Sequence, residues 1–166
     1  MNNLDTYPKT LMQQVDFNLE IFSPFDKPTT LQSNRIVHFL YEQLDEYGDK
    51  KDDINKAIQY AMKESESFTP GGFILKMADQ SGKIAGVVVV NKTGMTGYIP
   101  ENILVYIAVH NDFRGQGIGK QLMKAAIRHA KGDIALHVEP DNPARFLYEK
   151  LGFENKYLEM RLKKTA

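Results

Sequence analysis

The sequence predicts an α/β (α+β) fold, a mixed and mostly antiparallel sheet with helices on both faces. Three observations carry this expectation. Apolar residues switch between short strand-like runs and 3.6-residue stripes, in the order strand, two helices, three strands, helix, strand, helix, strand. Val87 to Val90 are four consecutive valines, the composition of a strand covered from both sides. The 166 residues suffice for one sizeable core and show no internal repeat or low-complexity tract, so a single domain over 1–166 is expected.

Residues 1–12 are expected to be flexible or peripheral. Val15 to Ile21 alternates apolar and polar residues, as a strand exposed on one face does, and Pro24 and Pro28 end it. From Thr30 to Tyr47, the residues Ile36, Phe39, Leu40, Leu44 and Tyr47 recur at helical spacing, with Gly48 placed for a left-handed cap. A second helix over Asp53 to Glu64 uses Ile54, Ala57, Ile58 and Ala61, and Ser67 to Gly72 breaks it. Phe73 to Ala78 and Lys83 to Val90 read as strands joined by the hairpin turn Asp79-Gln80-Ser81-Gly82. After a glycine-containing turn, Asn91 to Pro100, Ile103 to His110 is the next strand. The helix Gly117 to Lys131 carries the stripe Ile118, Leu122, Ala125, Ala126 and His129, and Gly132 stops it. Asp133 to Glu139 is expected as a strand, Pro143 to Leu151 as a helix, and Phe153 to Lys163 as a last strand or hairpin arm.

Lys plus Arg and Asp plus Glu both number 21, which leaves no footprint for nucleic acid or an anionic membrane surface. Cysteine is absent, and the four histidines form no His-x-x-x-His pair, so neither thiolate catalysis nor a metal site is expected. Met1 to Thr10 lacks the basic-then-apolar order of a signal, and the apolar runs are too short to span a bilayer. The expected location is cytoplasmic.

The richest stretch is Arg114-Gly115-Gln116-Gly117-Ile118-Gly119, between the apolar run Ile103 to Val109 and the helix that follows. A strand entering a glycine-rich turn at a helix N-terminus makes an anion site. Its N–H groups lack intrahelical acceptors, the helix dipole adds positive charge, and glycine lets the backbone approach a phosphate. A Walker loop would need glycine where Arg114 stands and Ser or Thr where Gln121 stands. A dinucleotide fingerprint would need its third glycine where Lys120 stands. What remains is Arg-x-x-Gly-x-Gly. About thirty residues on lies a second signature, Asp141-Asn142-Pro143-Ala144-Arg145-Phe146-Leu147-Tyr148-Glu149-Lys150-Leu151-Gly152-Phe153. Together, in this order, they resemble the two signatures of the GNAT superfamily of acetyl-CoA-dependent N-acetyltransferases, specifically from about Lys83 to Phe153.

The resemblance implies a GNAT-like fold with a splayed central parallel strand pair, a cofactor-binding core over 83–153 and acceptor-side helices over 30–72. It implies acetyl-CoA as cosubstrate and direct transfer of the acetyl group to a primary amine. Backbone N–H groups of Gly115, Gln116, Gly117, Ile118, Gly119 and Lys120 would hold the pyrophosphate, with Arg114 adding charge. Ile107, Ala108 and Val109 would border the pantetheine, and the Val109 N–H would polarise the thioester carbonyl. Asn142 and Arg145 would contact the cofactor, although the family's asparagine precedes its tyrosine by seven residues and that spacing lands on Asp141. Either Asp141 or Asn142 fits. Asn142 is preferred because an Asn before proline is a good helix start. Tyr148 is the expected general acid, a phenol that stays protonated at neutral pH. Three residues qualify as the base. His137 and Glu101 stand level, ahead of Glu139, which shares a strand face with His137. Relatives that carry a glutamate at the position of Ile103 have no counterpart here.

The acceptor is expected to be a small-molecule amine or a protein amino group. Asp45, Glu46, Asp49, Asp52 and Asp53 suit a cationic amine, while a solvated helix junction explains them equally. An alternative of another class is a catalytically silent acyl-CoA-binding sensor of the same fold. A homodimer through the C-terminal segment is compatible with the sequence.

Overall fold

The structure, a computed structural model, describes residues 16–165. Residues 1–12, and Val15 at the head of the expected first strand, lie outside this range. Five strands form one sheet in sequence order: β1 (Asn18–Phe22), β2 (Gly72–Ala78), β3 (Ile84–Lys92), β4 (Asn102–Val109) and β5 (Ile134–Leu136). The first four are antiparallel neighbours, and β5 runs parallel to β4. Four helices complete the fold: α1 (Thr30–Leu44), α2 (Lys51–Ala61), α3 (Ile118–His129) and α4 (Ala144–Lys150).

Local chemistry sets the element ends. Thr29 and Gln32 form a reciprocal capping box, in which Gln32 N–H donates to the Thr29 hydroxyl and Thr29 N–H to Gln32 Oε1. At the other end of α1 the left-handed residue is Asp45, at φ 49°, and not Gly48, whose φ is −99°. A 3₁₀ turn over Asp45–Tyr47 tightens the chain first, and Gly48 N–H closes it on Asp45 O. The β2–β3 hairpin forms as expected, with Asp79 Oδ1 accepting from the N–H groups of Ser81 and Lys83. Helix α3 ends at His129, before Gly132, because Ala130 already turns extended.

The sheet separates two apolar layers. Ile36, Leu40, Ile54 and Ile58 of α1 and α2 pack on Ile74, Val87 and Val89. On the other face Ile118, Leu122 and Met123 of α3, with Tyr148 of α4, pack on Leu75, Val88 and Val90. Val87 to Val90 are each 0% exposed, as expected for a strand covered from both sides. Among the described residues no helix is long and apolar enough to cross a membrane.

Two strands depart from expectation. Asp133 to Glu139 contributes only the three residues of β5, and Phe153 to Lys163 forms no strand. Alternation specifies a face but supplies no ladder partner, and Leu158, Met160 and Leu162 remain 85–92% exposed. The shortness of β5 has a cause in β4. Pairing with β3 steps from Val90↔Leu104 to Val89↔Tyr106, leaving Val105 as an extra residue. Pairing with β5 ends at Leu104↔Leu136. Beyond that point the parallel strands part, as the expected splay requires, but the pair lies at the end of the sheet and not at its centre because Phe153 to Lys163 adds no further strand.

The other end of the pair is pinned. Asn102, 1% exposed, donates through Nδ2 to the carbonyls of Lys131 and Asp133. Glu101 Oε2 accepts from Asp133 N–H at 2.7 Å, and Oε1 from the Thr96 hydroxyl at 3.0 Å. These bonds, the Asp133 N–H first, hold the Glu101 carboxyl below its ordinary 4.5. A lowered folded-state pKa supplies stability above the unfolded value and loses it as pH falls below about 4.5. Glu101→Gln is therefore expected to flatten the acid limb of a stability-versus-pH curve, measured by urea titration. Leu122→Ala, which empties a fully buried site between α3 and the sheet, is expected to cost about 2–5 kcal/mol in the same assay.

Candidate active site

Strand β4 delivers the chain to a 3₁₀ turn, Asn111–Phe113, and then to Arg114 and the loop that opens α3. Gly115 and Gly117 take φ of 76° and 79°, a left-handed geometry that side chains resist, and nothing lies within 4 Å of where their Cβ atoms would be. The first N–H to re-enter the helical ladder is that of Gln121, which donates to Gly117 O. From Gly115 to Lys120, six successive N–H groups find no acceptor among the described residues. Such a run at a helix N-terminus suits a ligand with several anionic oxygens.

The loop is held from outside. Gln43, at the end of α1, accepts from Asn111 N–H through Oε1 at 3.0 Å. Arg114 donates from Nε to Val109 O at 3.2 Å and from a terminal nitrogen to Gln43 O at 3.1 Å. Its guanidinium therefore braces α1 against the end of β4, in place of standing free at the loop mouth as its sequence position suggested. His110 sits beside this brace, its Nδ1 accepting from Asp112 N–H and its ring stacked on Phe39.

Helix α4 closes the loop's flank. A Cβ on Gly119 would lie 3.4 Å from Leu147, so α4 sits directly beside the first turn of α3. Tyr148, one residue on, is 7% exposed and packs near Phe153 at 6.0 Å between ring centroids. Its hydroxyl has no hydrogen-bond partner among the described residues. Burial pushes its pKa up to about 12. Asn142 Oδ1 accepts from Ala144 N–H at 2.9 Å and so starts α4, while Arg145 pairs with Glu149 at 2.6 Å. The β4 side chains divide between layers: Ile107 and Val109 lean toward α3, and Tyr106 and Ala108 toward α1 and α2.

The bulged strand, the parting beside it, the loop of free donors and α4 meet at the C-terminal end of β4, where a Cβ on Gly119 would touch both Leu147 and Val109. The acetyltransferase (GNAT) family matches residues 34–153. The chain belongs to the GNAT family. It is 33% identical over 108 residues to a mycothiol acetyltransferase of Saccharomonospora viridis, a match covering 60% of this chain and 35% of that one. The chain thus spans about a third of the length of that curated relative. An aminoglycoside N-acetyltransferase solved with CoA superposes with a TM-score of 0.66 at 14% identity, covering 94% of this chain and 99% of the other. A ribosomal-protein-alanine N-acetyltransferase from Brucella melitensis gives 0.59 at 16% identity, over 90% and 99%. At these identities the two structures establish the fold.

Within the GNAT frame the three candidate bases fall in different places. Glu101 lies at the pinned end of β4, with both oxygens engaged and its pKa lowered, so the structure does not bring it to the loop. His137 and Glu139 follow β5 on its parted side, both exposed, in irregular chain and not on the strand face their spacing suggested. Asp49, which the sequence offered only as one of several acidic residues suited to a cationic amine, has a specific partner. Asp49 Oδ2 accepts from the Tyr106 hydroxyl at 2.6 Å. Burial first, then Asp49, raise the Tyr106 pKa far above 10. Gln43 was missed. Their partners lie 57 and 68 positions away, beyond any local pattern. Gln43→Leu is expected to speed amide exchange at Asn111 about tenfold or more, read by NMR, because that N–H loses its acceptor.

Proposed function

We propose that the chain is an N-acetyltransferase that moves the acetyl group of acetyl-CoA directly to a primary amine. One observation carries the reading: the six N–H groups from Gly115 to Lys120, unpartnered among the described residues, follow directly on the half of β4 that lies beyond its pairing with β5. The CoA diphosphate supplies the anionic oxygens those donors lack. Its pantetheine then runs along the unpaired edge of β4 past Ile107, Ala108 and Val109, where strand N–H and C=O groups pair with its amides. The Val109 N–H polarises the thioester carbonyl. Asn142, through its remaining amide, and Arg145 border the cofactor from the start of α4. The cytoplasm is where such a reaction finds its acetyl donor.

The chemistry follows from the groups in place. A neutral amine attacks the carbonyl carbon, the N–C bond forms and the C–S bond breaks. The nitrogen's proton passes to His137, the candidate base left unengaged beside the parted strands, with Glu139 two residues on. Tyr148 donates to the departing sulfur and is reprotonated from solvent. Its raised pKa suits this role, because the phenol keeps its proton throughout the neutral range. The names of similar proteins support an amine acceptor: two are N-acetyltransferases, one of aminoglycosides and one of ribosomal-protein alanine, beside a mycothiol acetyltransferase.

CoA is expected to raise the melting temperature of the protein, since a ligand bound only by the native state stabilises it. Tyr148→Phe is expected to lower kcat about 100-fold with little change in the KM for acetyl-CoA, measured as free CoA released. Equal rates in both proteins would remove Tyr148 from the reaction, and binding without turnover across an amine panel would favour the silent sensor. With the Tyr148 pKa at about 12, kcat should show no alkaline loss from this group below pH 10, and its share of stability is lost only as pH rises from 10 through 12.

A further inference from the structure

The turn that feeds the glycine-rich loop is satisfied donor by donor. His110 N–H donates to Ala85 O, Asn111 N–H to Gln43 Oε1, Phe113 N–H to His110 O and Arg114 N–H to Asn111 O. The remaining donor, Asp112 N–H, goes to the His110 ring at Nδ1, 3.1 Å away. An asparagine or aspartate two residues upstream ordinarily makes this bond with a side-chain oxygen. Here the acceptor is an imidazole nitrogen, the side-chain type that takes up a proton between about pH 5 and 8. None of the other acceptors in the turn does so.

This bond sits where it can act on the loop. Asp112 O accepts from Gln116 Nε2 at 3.2 Å, so the residue that His110 caps is tied to the loop itself. Arg114, at the end of the turn, carries the brace to Val109 and Gln43. The ring is fixed: it stacks on Phe39 at 6.3 Å between centroids and meets Phe113 edge-on at 5.8 Å. Its side chain is 23% exposed and borders a cavity of about 260 Å³, through which solvent protons reach it. Arg35, His38 and Glu42 of α1 line that cavity, with His38 Nε2 and Glu42 paired at 3.1 Å. Lys83 comes from the β2–β3 hairpin and pairs with Asp112 Oδ2, which lies 3.8 Å from His110 Nδ1. A proton on Nδ1 would turn the acceptor into a second donor facing Asp112 N–H. Its charge is met at once by the Asp112 carboxylate and adds little field at the loop, so the lost acceptor decides the sign.

We propose that His110 is a positioning residue for the cofactor: its unprotonated Nδ1 caps the turn that aims the open N–H groups of Gly115 to Lys120, and protonating it weakens the binding of CoA. This rests on the CoA binding proposed above. In the binding state the imidazole carries its proton on Nε2. On further protonation Nδ1–H turns to Asp112 Oδ2 in competition with Lys83, Asp112 N–H loses its acceptor, and the turn relaxes with Gln116 and Arg114 attached. By linkage, CoA and this proton weaken one another to the same degree.

The test is calorimetric binding of 3′-dephospho-CoA to the full chain, a probe without the phosphate monoester that itself titrates near about pH 6. Its Kd is expected to rise about tenfold from about pH 8 to about pH 5.5. His110→Asn offers Oδ1 in place of Nδ1 and does not titrate. It is expected to bind within about threefold of the parent protein at about pH 8 and to keep that affinity at about pH 5.5. His110→Leu, with no acceptor, is expected to bind about tenfold more weakly at both pH values. A long-range proton–nitrogen NMR spectrum at about pH 8 is expected to show the Nε2–H tautomer. A flat or inverted pH profile in the parent protein, an equal rise in His110→Asn, parent-like binding by His110→Leu, or an Nδ1–H tautomer overturns the assignment. Absence of binding at every pH overturns it together with the CoA reading, whereas binding with a flat profile overturns the role of His110 alone.

Discussion

The extra residue at Val105 is the constraint on which the site depends. Two parallel strands normally continue side by side because each unpaired N–H or C=O costs free energy when it is buried. Here a single bulge rotates β4 out of register with β3 and ends its ladder with β5 after three pairs. The strands stay joined at one end by Asn102 and Glu101 and part at the other. The result is an open sheet edge along the far half of β4, a row of backbone groups that a ligand with amides can complete. An edge of this kind normally invites aggregation, and here it is enclosed by helices on both faces.

The same logic of deferred satisfaction governs the loop. A helix N-terminus usually recruits an Asx, Ser or Thr cap, as Thr29 does for α1. Helix α3 begins instead at Gly117, which has no side chain to offer, and no neighbour supplies an oxygen. Side chains around it are spent on holding the loop still: Gln43 on Asn111, Arg114 on Val109 and Gln43, Gln116 on Asp112. Scaffold bonds are thus saturated while the donors of the loop are left open. Such preorganisation lets a bound diphosphate collect several hydrogen bonds without an ordering cost at each one.

How much of this was legible follows from how local each feature is. Repeating apolar patterns gave α1 to α4 and β2 to β4 within a few residues, since periodicity records which face is buried. The two signatures located the loop and α4, where glycine, asparagine and proline impose their own geometry. What failed needed a partner. Asp133 to Glu139 alternates well enough for a strand, but its neighbour had already turned away at Val105, a valine like those around it. Arg114 is cationic in the sequence and a brace in the fold because Gln43 O happens to lie within reach. Glu101 looked like a free carboxylate beside a strand, and its two oxygens prove to be the pin of the splay. The Asp49–Tyr106 pair joins a loop to a strand with nothing in between to announce it.

In the acetyl transfer proposed above, Tyr148 is the donor to the departing sulfur. A phenol at about 12 is a far weaker acid than an ordinary thiol, whose pKa is about 8.5. Complete transfer from one to the other is uphill by roughly 3.5 units, or roughly 5 kcal/mol. At the transition state, however, the sulfur carries only part of its final charge, and a hydrogen bond from a fixed donor in a dry pocket stabilises that partial charge without full transfer. The high pKa is then an advantage: it keeps the phenol protonated and the donor in place for every turnover. Burial, which makes Tyr148 a poor acid in equilibrium terms, is what makes it a dependable hydrogen-bond donor at the transition state; the full transfer to sulfur follows only after the C–S bond has broken, and solvent then reprotonates the phenol.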